Sequence, residues 1–241
     1  MKKITKLSPG TIFNYAKEKF VVLEQMEDGV LCLLAQSKDS VPFHRNGGDF
    51  PNNYGMSTLK KDIEGPWLDN LIVNGAKRSD LVPFDVDLRQ ADGSFGYGML
   101  KGVYAAPLTL WQYGKYKDII PLNEDDWWWL VTPLYVKTPG SPFCNSYYGS
   151  TFALRVYGDG GWGRNGCSNS YGIRPALKLN SCLSVSLDGD DEEEKDGECD
   201  NYHADLARVD TLTLIREVER RLSEPVTCEA PDECGCEVEQ Q

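Results

Sequence analysis

The sequence predicts an α+β domain of short antiparallel strands with one or two helices and long irregular loops, followed by a separate C-terminal helix. Three observations predict it. Two β-prone runs, Phe20-Val21-Val22-Leu23 and Val30-Leu31-Cys32-Leu33-Leu34, flank the turn residues Glu27-Asp28-Gly29, which is a hairpin pattern. Ser57 before and Gly65-Pro66 after Thr58–Glu64 frame a short helix, with Ser as N-cap and Gly-Pro as stop. Far downstream, Leu206, Val209, Leu212, Ile215, Val218 and Leu222 recur every three or four residues as one apolar stripe on a charged segment.

In chain order, the N-terminal hairpin is followed by Phe43 to Tyr54, which is rich in Gly, Asn and Pro and reads as an exposed loop. The helix at Thr58–Glu64 comes next, and Trp67 to Ile72 permits a second helical segment before Gly75. Between Leu81 and Tyr116, Gly and Pro interrupt the apolar residues so often that regular elements must be short. There, Val82–Val86, Gly102–Ala105 and Pro107–Leu110 are candidates for strands or helix edges. The aromatic run Trp127-Trp128-Trp129-Leu130-Val131 reads as a buried strand preceded by the capping residues of Leu122–Asp126.

The chain has 241 residues, 41% of them apolar, enough to bury a core, and a formal charge of -12. That charge is not spread evenly. Residues 1–187 hold 20 Lys or Arg against 18 Asp or Glu, whereas residues 188–241 hold 19 acids and 5 bases. The expected organisation is a domain over 1–187, an acidic linker over 188–203, an amphipathic helix over 204–223 and a disordered tail over 224–241. The stripe at 204–222 needs a partner: the body, a second copy for self-association, or another protein.

A nearly neutral body with no Lys/Arg cluster argues against nucleic acid, whose binding depends on neutralising phosphates. No stretch is apolar enough to insert in a membrane, and the basic start Met1-Lys2-Lys3 is not followed by a signal-peptide run. The expectation is a cytoplasmic or virion-associated protein without a signal peptide, and its body cysteines, Cys32, Cys144, Cys167 and Cys182, are read as free thiols. No metal and no cofactor are expected. His44 and His203 are the two histidines, and neither sits beside a nucleophile motif, so His44 is read as a solvated loop residue. Cys228, Cys234 and Cys236 lack a clear fourth zinc ligand. The Asp188–Asp200 run lacks the sixth-position Gly of an EF-hand loop.

Two segments stand out together: Trp128-Trp129-Leu130-Val131-Thr132-Pro133 and Tyr171-Gly172-Ile173-Arg174-Pro175-Ala176-Leu177-Lys178-Leu179. They resemble the paired W-W-L-x-[ST]-P and G-[VI]-R-P-A-[LF]-x-[LI] signatures of a bacterial and phage family, domain of unknown function 6273. The N-terminal hairpin, Asn52–Ser57 and the helix after it are also similar to that family's first half. The resemblance covers about 10–182. It implies a C-type-lectin-like fold, related to formylglycine-generating enzymes and to the variable proteins of diversity-generating retroelements, in which strands and flanking helices hold up a long irregular loop region. On this reading Trp128, Trp129, Pro133, Gly172, Arg174 and Pro175 are scaffold. Ile173, Ala176, Leu177 and Leu179 would fill the core. A guanidinium beside them must be matched by backbone carbonyls or by a carboxylate, for which Glu124, Asp125 and Asp126 are candidates.

The window from Phe143 to Tyr171 is dominated by Gly, Ser, Asn and Tyr, the residues of adaptable binding loops. Its candidate ligand-binding residues are Asn145, Tyr147, Tyr148, Arg155, Tyr157, Asp159, Trp162, Arg164, Asn165 and Asn169. The expected function is non-enzymatic recognition of a protein or glycan ligand, in a bacterial or phage setting, with loops whose composition would also suit retroelement diversification. Two alternatives are a structural virion or cell-envelope subunit assembled through the 204–222 helix, and an oxidase resembling the formylglycine-generating group. The oxidase would need a paired-cysteine copper site, for which Cys144 and Cys167 are available, although their surroundings do not match that group's motif.

Overall fold

Short β-prone runs punctuated by Gly and Pro give many short strands rather than a few long ones. The computed structural model describes residues 1–136 and 150–187. Its first half contains strands β1 (Lys2–Lys3), β2 (Ile12–Tyr15), β3 (Glu18–Met26), β4 (Gly29–Leu34) and β5 (Lys38–Pro42), then helices α1 (Thr58–Asp62) and α2 (Leu68–Val73). Strands β6 (Leu81–Val82), β7 (Phe84–Asp87), β8 (Met99–Val103) and β9 (Ala105–Ala106) lead to helix α3 (Leu110–Tyr116). Strands β10 (Trp128–Pro133), β11 (Phe152–Val156), β12 (Trp162–Gly166), β13 (Ser170–Ile173), β14 (Ala176–Leu179) and β15 (Ser184–Val185) complete a mixed α+β architecture that is mostly sheet.

The first sheet has the order β2-β3-β4-β14-β6. Met26 opposes Gly29 across the two-residue turn Glu27-Asp28, as the hairpin pattern predicts. On its other edge β14 is shared: β9 pairs with Ala176 and Leu177, and β6 pairs with Lys178 and Leu179. Pro83, which has no N–H to give a ladder, separates β6 from β7. The second sheet runs β12-β11-β10-β13-β5 and is antiparallel except where Trp128 of β10 meets Gly172 of β13 in parallel. Residues near both ends of the described domain also pair, β1 with β15 and Asn14 with Ser186.

Strands β4, β10 and β14 are buried at every position, because both faces of each sheet are covered. Period-two alternation sends Val22, Cys32, Leu34, Trp129 and Val131 to one core, where Leu59, Ile63, Leu68 and Leu71 of the α1–α2 segment pack. The intervening residues Val21, Leu23, Leu33, Trp128 and Leu130 enter a second core closed by Leu110, Tyr113 and Tyr116 of α3. A continuous apolar run therefore means a strand between two helical covers.

Ser57 caps α1 as expected, its Oγ accepting from the backbone N–H of Lys60 at 3.0 Å. The expected stop at Gly65-Pro66 is not a stop. The chain passes through a wide, kinked turn over Ile63–Trp67 and continues into α2, because Ile63, Trp67, Leu68 and Leu71 are all held in the core. Pro107–Leu110, read as a strand or helix edge, instead leads into α3. Thr109 Oγ1 accepts from Gln112 N–H at 3.1 Å while Gln112 Oε1 accepts from Thr109 N–H at 2.9 Å, a capping box.

The 43–54 segment, expected to be exposed, is anchored at both ends: Phe43, Asn52 and Tyr54 are fully buried. Asn52 donates from Nδ2 to the carbonyls of Tyr135 (2.7 Å) and Phe152 (3.0 Å), and its Oδ1 accepts from the Tyr97 hydroxyl at 2.6 Å. The linker at 188–203, the helix at 204–223 and the tail at 224–241 lie outside the described residues.

Candidate functional site

The matched segments form a frame. Trp128 and Trp129 are buried, on opposite faces of β10 and in different cores. Trp129 donates from Nε1 to the Val41 carbonyl at 3.0 Å and meets Phe43 edge-on at 5.5 Å. Pro133 opposes Ala153 and is buried, and buried Pro175 lies between β13 and β14. Gly172 is required by proximity, since a Cβ there would lie 2.4 Å from Ser37 Oγ and 3.1 Å from the Trp127 carbonyl.

Arg174 is 1% exposed, and its Nε and Nη2 are matched by backbone carbonyls. Its Nε donates to Leu34 O at 2.8 Å, its Nη2 donates to Ala35 O and to Pro121 O (3.1 Å), and its Nη1 lies 3.6 Å from Asp126 Oδ2. Of the three acids proposed as its partner, Asp126 is the one that pairs, and carbonyls do most of the matching. Burial pushes the guanidinium down to about 10, with Asp126 working against that shift, so it stays charged at neutral pH.

The frame supports an edge hairpin. β11 and β12 pair from Phe152↔Gly166 to Val156↔Trp162, and β12 is an edge of its sheet. The connecting turn is closed by Tyr157 N–H to Gly161 O at 2.7 Å and by Asp159 Oδ1 accepting from Gly161 N–H at 2.8 Å, with Gly160 at φ 84°. Gly158 packs directly on the Glu124 carbonyl, where a Cβ would approach to 1.9 Å.

The register divides the predicted ligand-binding residues between two faces. Trp162 and Arg164 oppose Val156 and Leu154, and both are exposed, Trp162 by 51%. On the other face, Arg155 opposes Gly163 and Asn165 opposes Ala153. Tyr157 lies back across Gly163, whose missing Cβ makes room for its hydroxyl. Asp159 and Asn169 are exposed on the flanking turns. Asn145, Tyr147 and Tyr148 lie outside the described residues. The expected single face is therefore replaced by a two-sided edge.

Arg155 is not on display: it is 8% exposed. Its guanidinium carbon sits 4.1 Å from the Tyr171 ring centroid, 4.4 Å from Trp127 and 5.0 Å from Tyr157. Asn165 Nδ2 donates to the Tyr171 hydroxyl at 2.6 Å, and Asn165 Oδ1 accepts from Gly166 N–H (2.8 Å) and from Asn169 Nδ2. Trp127, 42% exposed, and Tyr171 were not among the residues predicted for this site. Their signal was alternation: Trp127 lies two residues before Trp129 and thus on its face, the face of Arg155.

His44 is half-buried rather than solvated. Its Nδ1 accepts from Thr58 N–H at 3.2 Å at the start of α1, its backbone N–H donates to Cys167 O at 2.9 Å, and burial, with nearby Lys61, lowers its pKa. It lines a cavity of about 300 Å³ with Pro51, Phe152 and Cys167. Cys32 and Cys167 are free, buried thiols whose pKa values burial raises, and Cys144 lies outside the described residues. Among the described residues no three His, Cys, Asp or Glu side chains gather as a metal site, and no helix is long and apolar enough to cross a membrane. No protein-family model, curated protein or solved structure matches the chain.

Proposed function

We propose that the chain is a non-enzymatic recognition module of bacterial or phage origin, C-type-lectin-like in fold, that binds a protein or glycan through the β11–β12 edge. The family resemblance of Trp128–Pro133 and Tyr171–Leu179 supports the fold assignment, as does the arrangement of two strand systems flanked by helices. One observation carries the binding role. Indole surface is exposed on both sides of the edge hairpin, Trp162 of β12 on one and Trp127, just ahead of β10, on the other, with Asp159, Arg164 and Asn169 exposed around them.

Large aromatic side chains offer contact area at little entropic cost, and surrounding polar groups supply direction. Held on a hydrogen-bonded sheet, they are ordered before a ligand arrives, which limits the entropy lost on binding.

The test is binding of the intact protein to immobilised bacterial cell-surface extract. Trp127→Ala and Trp162→Ala together are expected to weaken it by roughly tenfold or more. Binding equal to wild type by a folded double variant removes the site assignment.

A further inference from the structure

Two arginines are buried among the described residues, and their surroundings differ. Arg174 spends its donors on three carbonyls and faces Asp126. Arg155, in β11 and 8% exposed, has no hydrogen-bond partner for Nε or Nη1, and no ion pair among the described residues includes it. Among the described residues its guanidinium is faced instead by the rings of Trp127, Tyr157 and Tyr171.

Ring quadrupoles attract a cation but accept no directed N–H bond of carboxylate strength. A buried charge without a counter-ion is disfavoured, so a core evolved for packing alone would place an apolar side chain at this position. The surroundings identify what would complete it. Trp127 is an open wall, Tyr157 and Tyr171 are half-buried, and the Asn165 and Asn169 amides lie beside the Tyr171 hydroxyl.

We infer that Arg155 is the anion-accepting centre of the β11–β12 site and that its ligand is an acidic sugar, a uronic or sialic residue. The inference rests on the recognition role proposed above and names its substrate class. The carboxylate enters beside Trp127 and pairs with the guanidinium. The sugar ring lies against the exposed indole, and its hydroxyls meet the Asn165–Asn169 amides. An acidic peptide could supply the carboxylate and hydrogen-bond the amides, but a poly-glutamate chain has no ring to lie flat against the indole.

The experiment titrates the intact protein with oligogalacturonate and with sialyllactose, each beside its methyl ester, and with a poly-glutamate peptide. Esterification changes the ligand and leaves the protein untouched, so a folding defect cannot mimic the result. The acid form of one sugar is expected to bind at least tenfold more tightly than its ester, and that preference is expected to disappear in Arg155→Met and to fall roughly threefold in Arg155→Lys, which keeps charge but not the planar fork.

Equal binding of acid and ester, preference for poly-glutamate, or an unchanged preference in folded Arg155→Met each overturns the inference. So does absence of binding to both acidic sugars. In any of these cases, extract binding that still depends on Trp127 and Trp162 leaves the recognition role standing, and its loss removes both.

Discussion

Arg174 Nη1 and Asp126 Oδ2 face each other 3.6 Å apart in the core, too far for a direct hydrogen bond, while the carbonyls of Leu34, Ala35 and Pro121 take the other donors of the guanidinium. Asp126 also accepts from Ser37 N–H at 3.2 Å. Arg174 is thus a cross-brace tying the end of β4 to the loop before β10, with the carboxylate as a secondary partner.

That ranking predicts unequal costs. Arg174→Ala strands three carbonyls and a buried carboxylate and is expected to cost about 3–5 kcal/mol. Asp126→Asn keeps an oxygen for Ser37 and leaves the carbonyl bonds intact, and is expected to cost about 1–2 kcal/mol. Urea unfolding with an unchanged m-value measures both, and the reverse order would contradict the cross-brace.

Asn52 provides a second packing test. In Asn52→Asp, the amide that donates to the Tyr135 and Phe152 carbonyls becomes a carboxylate oxygen pointed at them. Its loss of stability at neutral pH is expected to exceed that of Asn52→Ala by roughly 1–3 kcal/mol. The gap between the two variants should narrow in acid, where a protonated carboxyl regains one donor.

Gly158→Ala would place a methyl group 1.9 Å from the Glu124 carbonyl, forcing the hairpin turn away from the loop before β10. The expected cost is about 1–3 kcal/mol, a fall in melting temperature of roughly 2–12 °C for a domain of this size. Gly166→Ala is the control, since a Cβ there meets only Asn169 Nδ2, at 3.6 Å. Calorimetry distinguishes them, and equal melting temperatures would refute the close approach.

His44 should give a measurable pH dependence. Burial, then Lys61, lowers its folded pKa below the ordinary 6.5, and protonation at Nδ1 would also break the bond from Thr58 N–H. With the folded pKa depressed, the unfolded chain binds the proton first. Its contribution is therefore complete above 6.5 and is lost as pH falls from there through the lowered folded value. His44→Asn, which keeps an acceptor, is expected to remove that slope between about pH 5 and 7. Ring-proton NMR of His44 provides the direct measurement, and a midpoint at or above 6.5 would be the contrary result.

What depends on near neighbours is legible along the chain. The Met26–Gly29 turn, the Ser57 cap and the burial of Trp128–Val131 follow from turn chemistry, capping and unbroken apolar runs, all of which act over a few residues. The capping box that starts α3 was equally local, and Thr109-x-x-Gln112 could have revealed it. Long-range packing sets the rest. The kink carried past Gly65-Pro66 is set by core contacts that override a local stop, and the burial of Asn52 depends on carbonyls 83 and 100 residues away. The division of Trp162 and Arg164 from Arg155 and Asn165 depends on strand register, where a shift of one residue exchanges the faces. So does the contrast between Arg155 and Arg174. Arg155 lies in β11 and Arg174 in the step between β13 and β14, and whether three rings or three carbonyls face the guanidinium is settled by which distant segments the fold brings alongside.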